Sequence, residues 1–397
     1  MNPNIRALSL IAHLKERTIV GLMSGTSLDG LDVALCKISG YGRSTKVTLA
    51  RFETVPYSDQ IKERIRQVFA KPQVNFQHLC ELNAWIGTLH GQLVLRCLKK
   101  WKVMPATVHI IASHGQTVFH SPKAITPGAS INSTFQAGDG DHVAVTSGII
   151  TLSDFRQKHV AAGGEGAPLA VYGDYVLFSK RGEDRIMLNI GGIGNFTYLP
   201  GSLDASKVFV TDTGPGNTLL DQTVQKHRPG KYYDKDSKIA KSGKVESKLL
   251  EGLMAEKFFS LPFPKTTGPE LFNLDYVDRV IERTQTPPLS LEDLLATLTR
   301  FSAETIANAI KRVVKSRKVK IFLSGGGAHN PLMLEGIKSL LPNLEFHEMS
   351  ELGINGDAKE AVLFAVLANE SLAGGKLDFG RRSKVPTVSM GKISFPV

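Results

Sequence analysis

Apolar and polar positions alternate on both sides of a short turn in residues 19–35 (IVGLMSGTSLDGLDVAL), which predicts two strands joined as a β-hairpin. A related signature recurs at 188–197 (LNIGGIGNFT), where a buried strand, a glycine turn and a second strand follow one another. At 210–221 (VTDTGPGNTLLD) an apolar strand meets a rigid Gly-Pro-Gly turn. At 321–333 (IFLSGGGAHNPLM) a strand runs through glycines into a helix start near Asn330 and Pro331. Helical spacing dominates elsewhere. Leu79, Leu82, Ile86, Leu89 and Leu93 recur at steps of three and four within the mainly helical stretch 59–102 and read as core. Residues 291–314 and 357–372 read as two more helices, with Asp357 as N-cap of the second and Glu360 completing something like a capping box. Residues 108–112 read as a buried strand that delivers Ser113, His114, Gly115 and Gln116 at its C-terminal end, where α/β sheets commonly bind ligands. No low-complexity segment or short-period repeat interrupts the chain, and 226–243 is polar and turn-rich, a surface excursion.

The tip of the first hairpin is crowded with small polar residues. Gly25, Thr26, Ser27, Leu28, Asp29 and Gly30 lead into Leu31 and Asp32. Glycines let the backbone approach an anion, successive N–H groups form a nest, and the Thr and Ser hydroxyls add donors without bulk. Asp29 and Asp32 could serve the metal ion that accompanies a nucleotide. Such turns are also ordinary hairpin chemistry, so this segment alone leaves both readings open. The Walker pattern ending in Gly-Lys-Ser/Thr is absent. An early hairpin, a mid-chain turn with Gly191, Gly192 and Asn195, and a late loop with Gly325, Gly326, Gly327 and Asn330 together form the layout of the actin, sugar-kinase and chaperone ATPase superfold. In that architecture two α/β domains, ribonuclease H-like in type, close on a central nucleotide cleft that holds ATP.

Composition narrows the picture further. The 397 residues are 42% hydrophobic, enough for two ordinary cores. No apolar run reaches the roughly 18 residues of a membrane span, and residues 7–14 (ALSLIAHL) lack a cleavage pattern, so they read as an extension before the first strand. Three cysteines without CxxC spacing point to a reducing cytoplasm. The net charge of +11 is dispersed, which suits a solvated basic surface and anionic substrates better than nucleic acid. No HExxH or clustered His/Cys pattern supports zinc, and no GxSxG supports a serine hydrolase.

Eight collinear motifs, GLMSGTSLDGLDVAL, ASHGQTVFH, SDFRQKHVAAGGEGAPL, LNIGGIGN, DTGPGNTLLD, FPKTTGPELF, LSGGGAHNP and GDAKEAVLFAVLA, closely resemble the anhydro-N-acetylmuramic acid kinases and cover nearly the whole chain from about Ile19. Departures are mild: Gly194 where Ala is usual, Glu165 for Gln, Thr267 for Ser, and Pro269 for Arg. The resemblance implies an ATP-dependent kinase that opens the 1,6-anhydro ring of its sugar by hydrolysis while phosphorylating O6, in cell-wall recycling. It implies that Asp212 is the base; alone, an Asp before a turn could equally cap it. Gly214 and Asn217 of the same motif then fall at the sugar. Arg156 would pair with the lactyl carboxylate through its bidentate fork, and His114, Gln116 and Thr117 could bond sugar hydroxyls or the acetamido group, although a lone His is as readily a satisfied core residue. Mg²⁺ is expected with ATP, and Glu360 and Asp29 are the acidic candidates, each open to a reading as a helix-start or turn carboxylate.

The expected division places an N-terminal α/β domain at 1–150 and a C-terminal one at 151–374, with a tail from about 375 to 397 returning to the first. Family members are commonly homodimers, which the resemblance extends to this chain. Two alternatives stand beside the main reading: a kinase of another anhydrosugar such as levoglucosan, and a binding or regulatory module that keeps ATP but not turnover.

Overall fold

In the computed structural model, which describes residues 1–123, 126, 128–314, 318–375, 378–380 and 385–397, the apolar runs flanking the first glycine-rich turn pair as an antiparallel hairpin. In chain order the strands are Glu16–Ser24 (β1), Gly30–Ser39 (β2), Lys46–Pro56 (β3), Ile110–Ser121 (β4), Ser133–Ala137 (β5), Thr151–Ser153 (β6), Asp184–Ile190 (β7), Ile193–Leu199 (β8), Phe209–Pro215 (β9), Val319–Ser324 (β10), Glu345–Glu348 (β11) and Lys392–Ser394 (β12). Two sheets result, ordered β12-β6-β4-β1-β2-β3, with β5 added to β4, and β11-β10-β7-β8-β9.

The sheets share one plan. Each begins as a three-stranded antiparallel meander, β1-β2-β3 or β7-β8-β9, and then adds two parallel strands on the side of its first strand, β4 and β6 or β10 and β11. Parallel neighbours need long crossovers, and helices supply them. Phe76–Lys100 lies between β3 and β4, Leu291–Val314 between β9 and β10, and Pro331–Leu340 between β10 and β11. The order 3-2-1-4-5 with an antiparallel second strand is the ribonuclease H-like α/β unit of actin-like ATPases, present twice.

One unit comprises Met1–Phe178 and Gly353–Val397, the other Ser179–Leu352. The first buries Val20, Leu22, Leu31 and Val33 against Leu82, Ile86 and Val94 of the long helix. On the same sheet, the helix Lys359–Leu372 approaches β1 so closely that a Cβ on Gly21 would lie 1.9 Å from the Ala361 carbonyl oxygen. In the second unit Ile186, Leu188 and Phe196 pack with Leu298, Phe301, Ile306 and Ile310.

Four expectations require correction. The division expected at 150/151 falls at 178/179, because β6 pairs in parallel with β4 (Ile111 with Thr151, Ala112 with Leu152) and so belongs to the first sheet. The return to the first unit starts at Gly353 rather than near 375, since the helix packed on β1 is part of it. The strand read at 108–112 runs on to Ser121, where β5 pairs with its extension. Asp357 is also not the cap of the helix Lys359–Leu372. A 3₁₀ turn, Gly356–Ala358, precedes that helix, and Asn355 caps the turn by accepting the Asp357 amide.

Candidate active site

The first hairpin presents its tip to solvent and fixes its base in the core. Thr26, Ser27 and Asp29 are exposed, whereas Leu28 and Leu31 are buried and leave only backbone for a ligand. Leu28 adopts φ 59°, unusual for a branched side chain, so the tip is held in a conformation that the surrounding contacts must enforce. Those contacts lie directly beneath it. Ser24 Oγ donates to Gln116 Oε1 at 2.6 Å, and Gln116 Nε2 donates to the carbonyls of Gly25 (2.9 Å) and Thr117 (3.0 Å). Tyr57 connects its hydroxyl to Ser24 Oγ at 3.0 Å and to His90 Nε2 at 2.8 Å. Burial holds the His90 imidazole neutral, its pKa pulled down to about 3. Gln116 is fully enclosed with its amide hydrogens and oxygen all engaged. It therefore shapes the hairpin and is not an open donor to a sugar, as had been expected.

His114 is likewise spent internally. Its Nδ1 donates to the Gly115 carbonyl at 2.9 Å, which leaves Nε2 to accept from Arg156 Nε at 2.8 Å. Burial, and then the Arg156 charge, push its pKa well below the usual histidine value. Arg156 sends Nη1 to the Gly166 carbonyl at 2.8 Å. Two of its five N–H groups are used by the described contacts, and the other three remain for a ligand. Burial lowers its pKa to about 10 while the Glu360 charge works against that shift, so it stays a cation.

Glu360 stands in the first turn of Lys359–Leu372 with its side chain reached by solvent. Lys359 beside it is anchored to Asp174 at 3.0 Å. Asp32 on β2 accepts from Thr54 Oγ1 at 2.5 Å. Burial, followed by the charges of Glu360, Asp357 and Asp29, drives the Asp32 carboxyl up to about 6 against that hydrogen bond. Asp29 and Glu360 thus act on one region of negative potential in this unit. Among the described residues no three His, Cys, Asp or Glu side chains converge as a metal-ligand cluster.

In the other unit, Asp212 sits in β9 opposite Asn195 of β8. A second segment runs alongside: the Asp212 amide donates to the Lys265 carbonyl at 2.9 Å, and the Thr267 amide donates to Asp212 Oδ2 at 2.8 Å. Oδ1 has no partner among the described contacts. Burial raises the Asp212 carboxyl to about 7, opposed by the Thr267 hydrogen bond, assisted by Glu270 and opposed again by Lys265. Gly214, two residues on, has φ 140° and would place a Cβ 2.9 Å from the Phe259 ring, so a side chain is excluded there. The role of 265–267 was not foreseen. Its signal in the sequence was only that FPKTTGPELF belonged to the motif series.

The glycine turns of this unit interlock. The Gly191 carbonyl accepts the Asn217 amide at 2.9 Å, and the Gly192 carbonyl accepts the amides of Gly216 (2.8 Å) and Thr218 (3.1 Å). Gly325, at φ 84°, would bring a Cβ within 2.7 Å of the Asn189 side chain and the Ile190 carbonyl. Around these turns opens a cavity of about 420 Å³ lined by Asn217, Gly326 and Asn330 with Asp221, Tyr233 and Asp234 among others. Asn330 caps the helix Pro331–Leu340 and accepts from Ser237 Oγ at 2.6 Å. Asn217, expected at the sugar, therefore shares a cavity with the late glycine loop. The excursion at 226–243 supplies part of its wall, and Asp221, whose carboxyl burial raises to about 6, was missed as a site residue.

Comparison with known proteins gives a consistent result. Residues 17–377 match the family model described as anhydro-N-acetylmuramic acid kinase. The chain is 54% identical to a protein of that name from Pseudoalteromonas atlantica, with 100% of each chain covered. It is 49% identical to the one from Pseudoalteromonas translucida over 100% of both chains. Identity is 39% to that of Caldanaerobacter subterraneus, covering 97% of this chain and 98% of the relative.

Proposed function

The chain belongs to the anhydro-N-acetylmuramic acid kinase family, and from that premise we propose that Asp212 is the base of its reaction, with Arg156 holding the sugar's carboxylate and the first hairpin the phosphates of ATP. The protein is an ATP-dependent sugar kinase. It converts anhydro-N-acetylmuramic acid to N-acetylmuramic acid 6-phosphate and ADP, a step in recycling the sugars of peptidoglycan.

One observation carries the assignment of the base: a half-buried carboxylate with one oxygen fixed by the Thr267 amide, the other without a described partner, and a pKa raised to about 7. A carboxylate tuned to the working pH is a far better proton acceptor than an exposed Asp. Asp212 takes a proton from water as the water oxygen bonds to the anomeric carbon. The bond from that carbon to O6 breaks, and the released O6 takes the γ-phosphoryl group, leaving ADP. The proton on Asp212 then returns to solvent.

Arg156 suits a lactyl carboxylate because its free N–H groups form a planar fork and its Nε is aligned by His114. Thr26 and Ser27 are exposed and, with the backbone of the turn, would donate to phosphate oxygens, and the cavity beside Gly326 and Asn330 suits the nucleoside. Mg²⁺ fits the negative potential around Asp29 and Glu360; it keeps water and phosphate oxygens as ligands, so it does not need a three-residue protein cluster. Those two carboxylates would hold it, and when bound it would neutralise charge on the triphosphate.

No described helix is long and apolar enough to cross a membrane. A cytoplasmic homodimer is the finer reading, resting on the family resemblance and the cysteine pattern, and light scattering of the purified protein tests the stoichiometry. For the base, Asp212→Asn is decisive: sugar-dependent ADP release should fall by roughly 10²- to 10⁴-fold with the fold intact. Near-normal turnover of that variant would remove Asp212 from the mechanism.

A further inference from the structure

Lys265 is only 6% exposed and no motif reading gave it a role. Its ammonium donates to the carbonyls of Phe258 (2.7 Å) and Phe259 (3.1 Å) and lies 4.2 Å from the centroid of the Phe258 ring, with the Phe263 and Phe259 rings at 5.5 and 5.7 Å. Carbonyl oxygens and ring faces solvate a cation without neutralising it. No carboxylate lies within ion-pair distance of it among the described residues. The charge that favours its protonated form is that of Asp212.

The backbone of the same residue is stitched to β9. Its N–H donates to Thr211 Oγ1 at 3.1 Å and its carbonyl accepts the Asp212 amide, which brings the Thr267 amide onto Asp212 Oδ2 two residues later. The backbone of this segment thus holds the Asp212 carboxylate, and the ammonium acts on the same group through its charge alone. We propose that Lys265 is the positioning residue of the catalytic base: its caged, unneutralised ammonium anchors the 265–267 segment against β9 and favours the ionised form of Asp212. This deepens the assignment of Asp212 and rests on it.

The charged groups around the pair are few. Arg312, from the helix Leu291–Val314, stacks on Phe263 at 4.3 Å and opposes protonation of Lys265. Glu256 and Lys257 line the same cavity as Lys265 and Arg312, and Glu270 acts on Asp212. Burial, then Arg312, lower Lys265 to about 8, with Asp212 pulling the other way. A lysine with that titration stands apart from exposed lysines near 10.4.

Two measurements test the proposal. In the first, kcat/KM for the muramyl sugar is followed against pH in the wild type, Lys265→Met, Lys265→Arg and Asp212→Asn. The acid limb near pH 7 should move up by on the order of one unit in Lys265→Met and return towards the wild-type position in Lys265→Arg. A uniform drop in activity with an unmoved limb overturns the proposal, because a merely structural lysine would give that. Retained turnover in Asp212→Asn would instead sink the base assignment on which it rests. The second measurement needs no active variant and holds even if Lys265→Met does not fold. Coupling is reciprocal, so neutralising the carboxylate in Asp212→Asn should lower the titration midpoint of the perturbed lysine, read by ¹⁵N NMR of the side-chain ammonium groups. An unchanged midpoint contradicts the coupling.

Discussion

The chemistry of single residues separates what was readable from the chain and what was not. Asp212 stood out because it precedes a Gly-Pro-Gly turn, but its basicity comes from burial, and its orientation from one amide of Thr267, 55 residues away along the chain. No local pattern encodes such a contact. The raised pKa also opposes folding. Between the unfolded value near 3.8 and the folded value near 7, the native state holds a proton that the unfolded chain has lost, so stability falls as pH rises through that window and stays lower above it. Asp212→Asn should therefore melt a few degrees higher than the wild type at pH 8, and by a smaller margin at pH 4, while losing turnover; calorimetry at the two pH values checks the sign. Catalysis in the wild type should fall as pH drops through about 7. Arg156 carries a different expectation. Arg156→Lys keeps the charge but loses the planar fork, so KM for the muramyl sugar should rise about tenfold, with little change in KM for ATP. His114 and Gln116 were expected to face the sugar, and their polar atoms are instead consumed inside the protein. Residue type announced their hydrogen-bonding capacity, and the fold decided its direction.

Elements were read more reliably than contacts. The first hairpin, the helix Leu291–Val314 and the strand preceding the late glycine loop each follow from strong periodicity. The five residues of β5 and the three of β6 were missed, since strands this short carry almost no periodic signal and are specified by their partners on β4. The hairpin shows why supporting elements matter for function. Its exposed tip rests on a buried relay through Ser24, Tyr57 and His90, contributed by β1, the end of β3 and the helix Phe76–Lys100. Tyr57→Phe removes the shared hydroxyl and leaves His90 Nε2 without its described partner. Stability should drop by ~1–3 kcal/mol, measured by urea unfolding. KM for ATP should rise several-fold while KM for the sugar stays constant. A parallel rise in both would mean that the relay supports the fold in general and not the phosphate hairpin in particular.

At the scale of the molecule, the repeated sheet plan was recognisable through its glycine turns but not as a sequence repeat. The two meanders share strand order and polarity, and those properties constrain burial rather than residue identity. The unit boundaries were displaced for a related reason. Residues 151–178 and the helix Lys359–Leu372 are apolar enough for either core, and only pairing with β4 and the close approach at Gly21 assign them to the first. Arg156 and the first hairpin belong to the first unit, Asp212 and the late glycine loop to the second. The most direct measurement is incubation of the purified protein with Mg²⁺, ATP and anhydro-N-acetylmuramic acid, with levoglucosan in parallel, following the sugar product by mass and ADP by release. The expected product has gained one water and one phosphoryl group per ADP, from the muramyl sugar in preference to levoglucosan. A phosphorylated sugar that has gained no water, or no sugar-dependent ADP at all, would contradict the coupled hydrolysis and phosphorylation assigned to this chain, and a preference for levoglucosan would keep that chemistry but contradict the muramyl substrate.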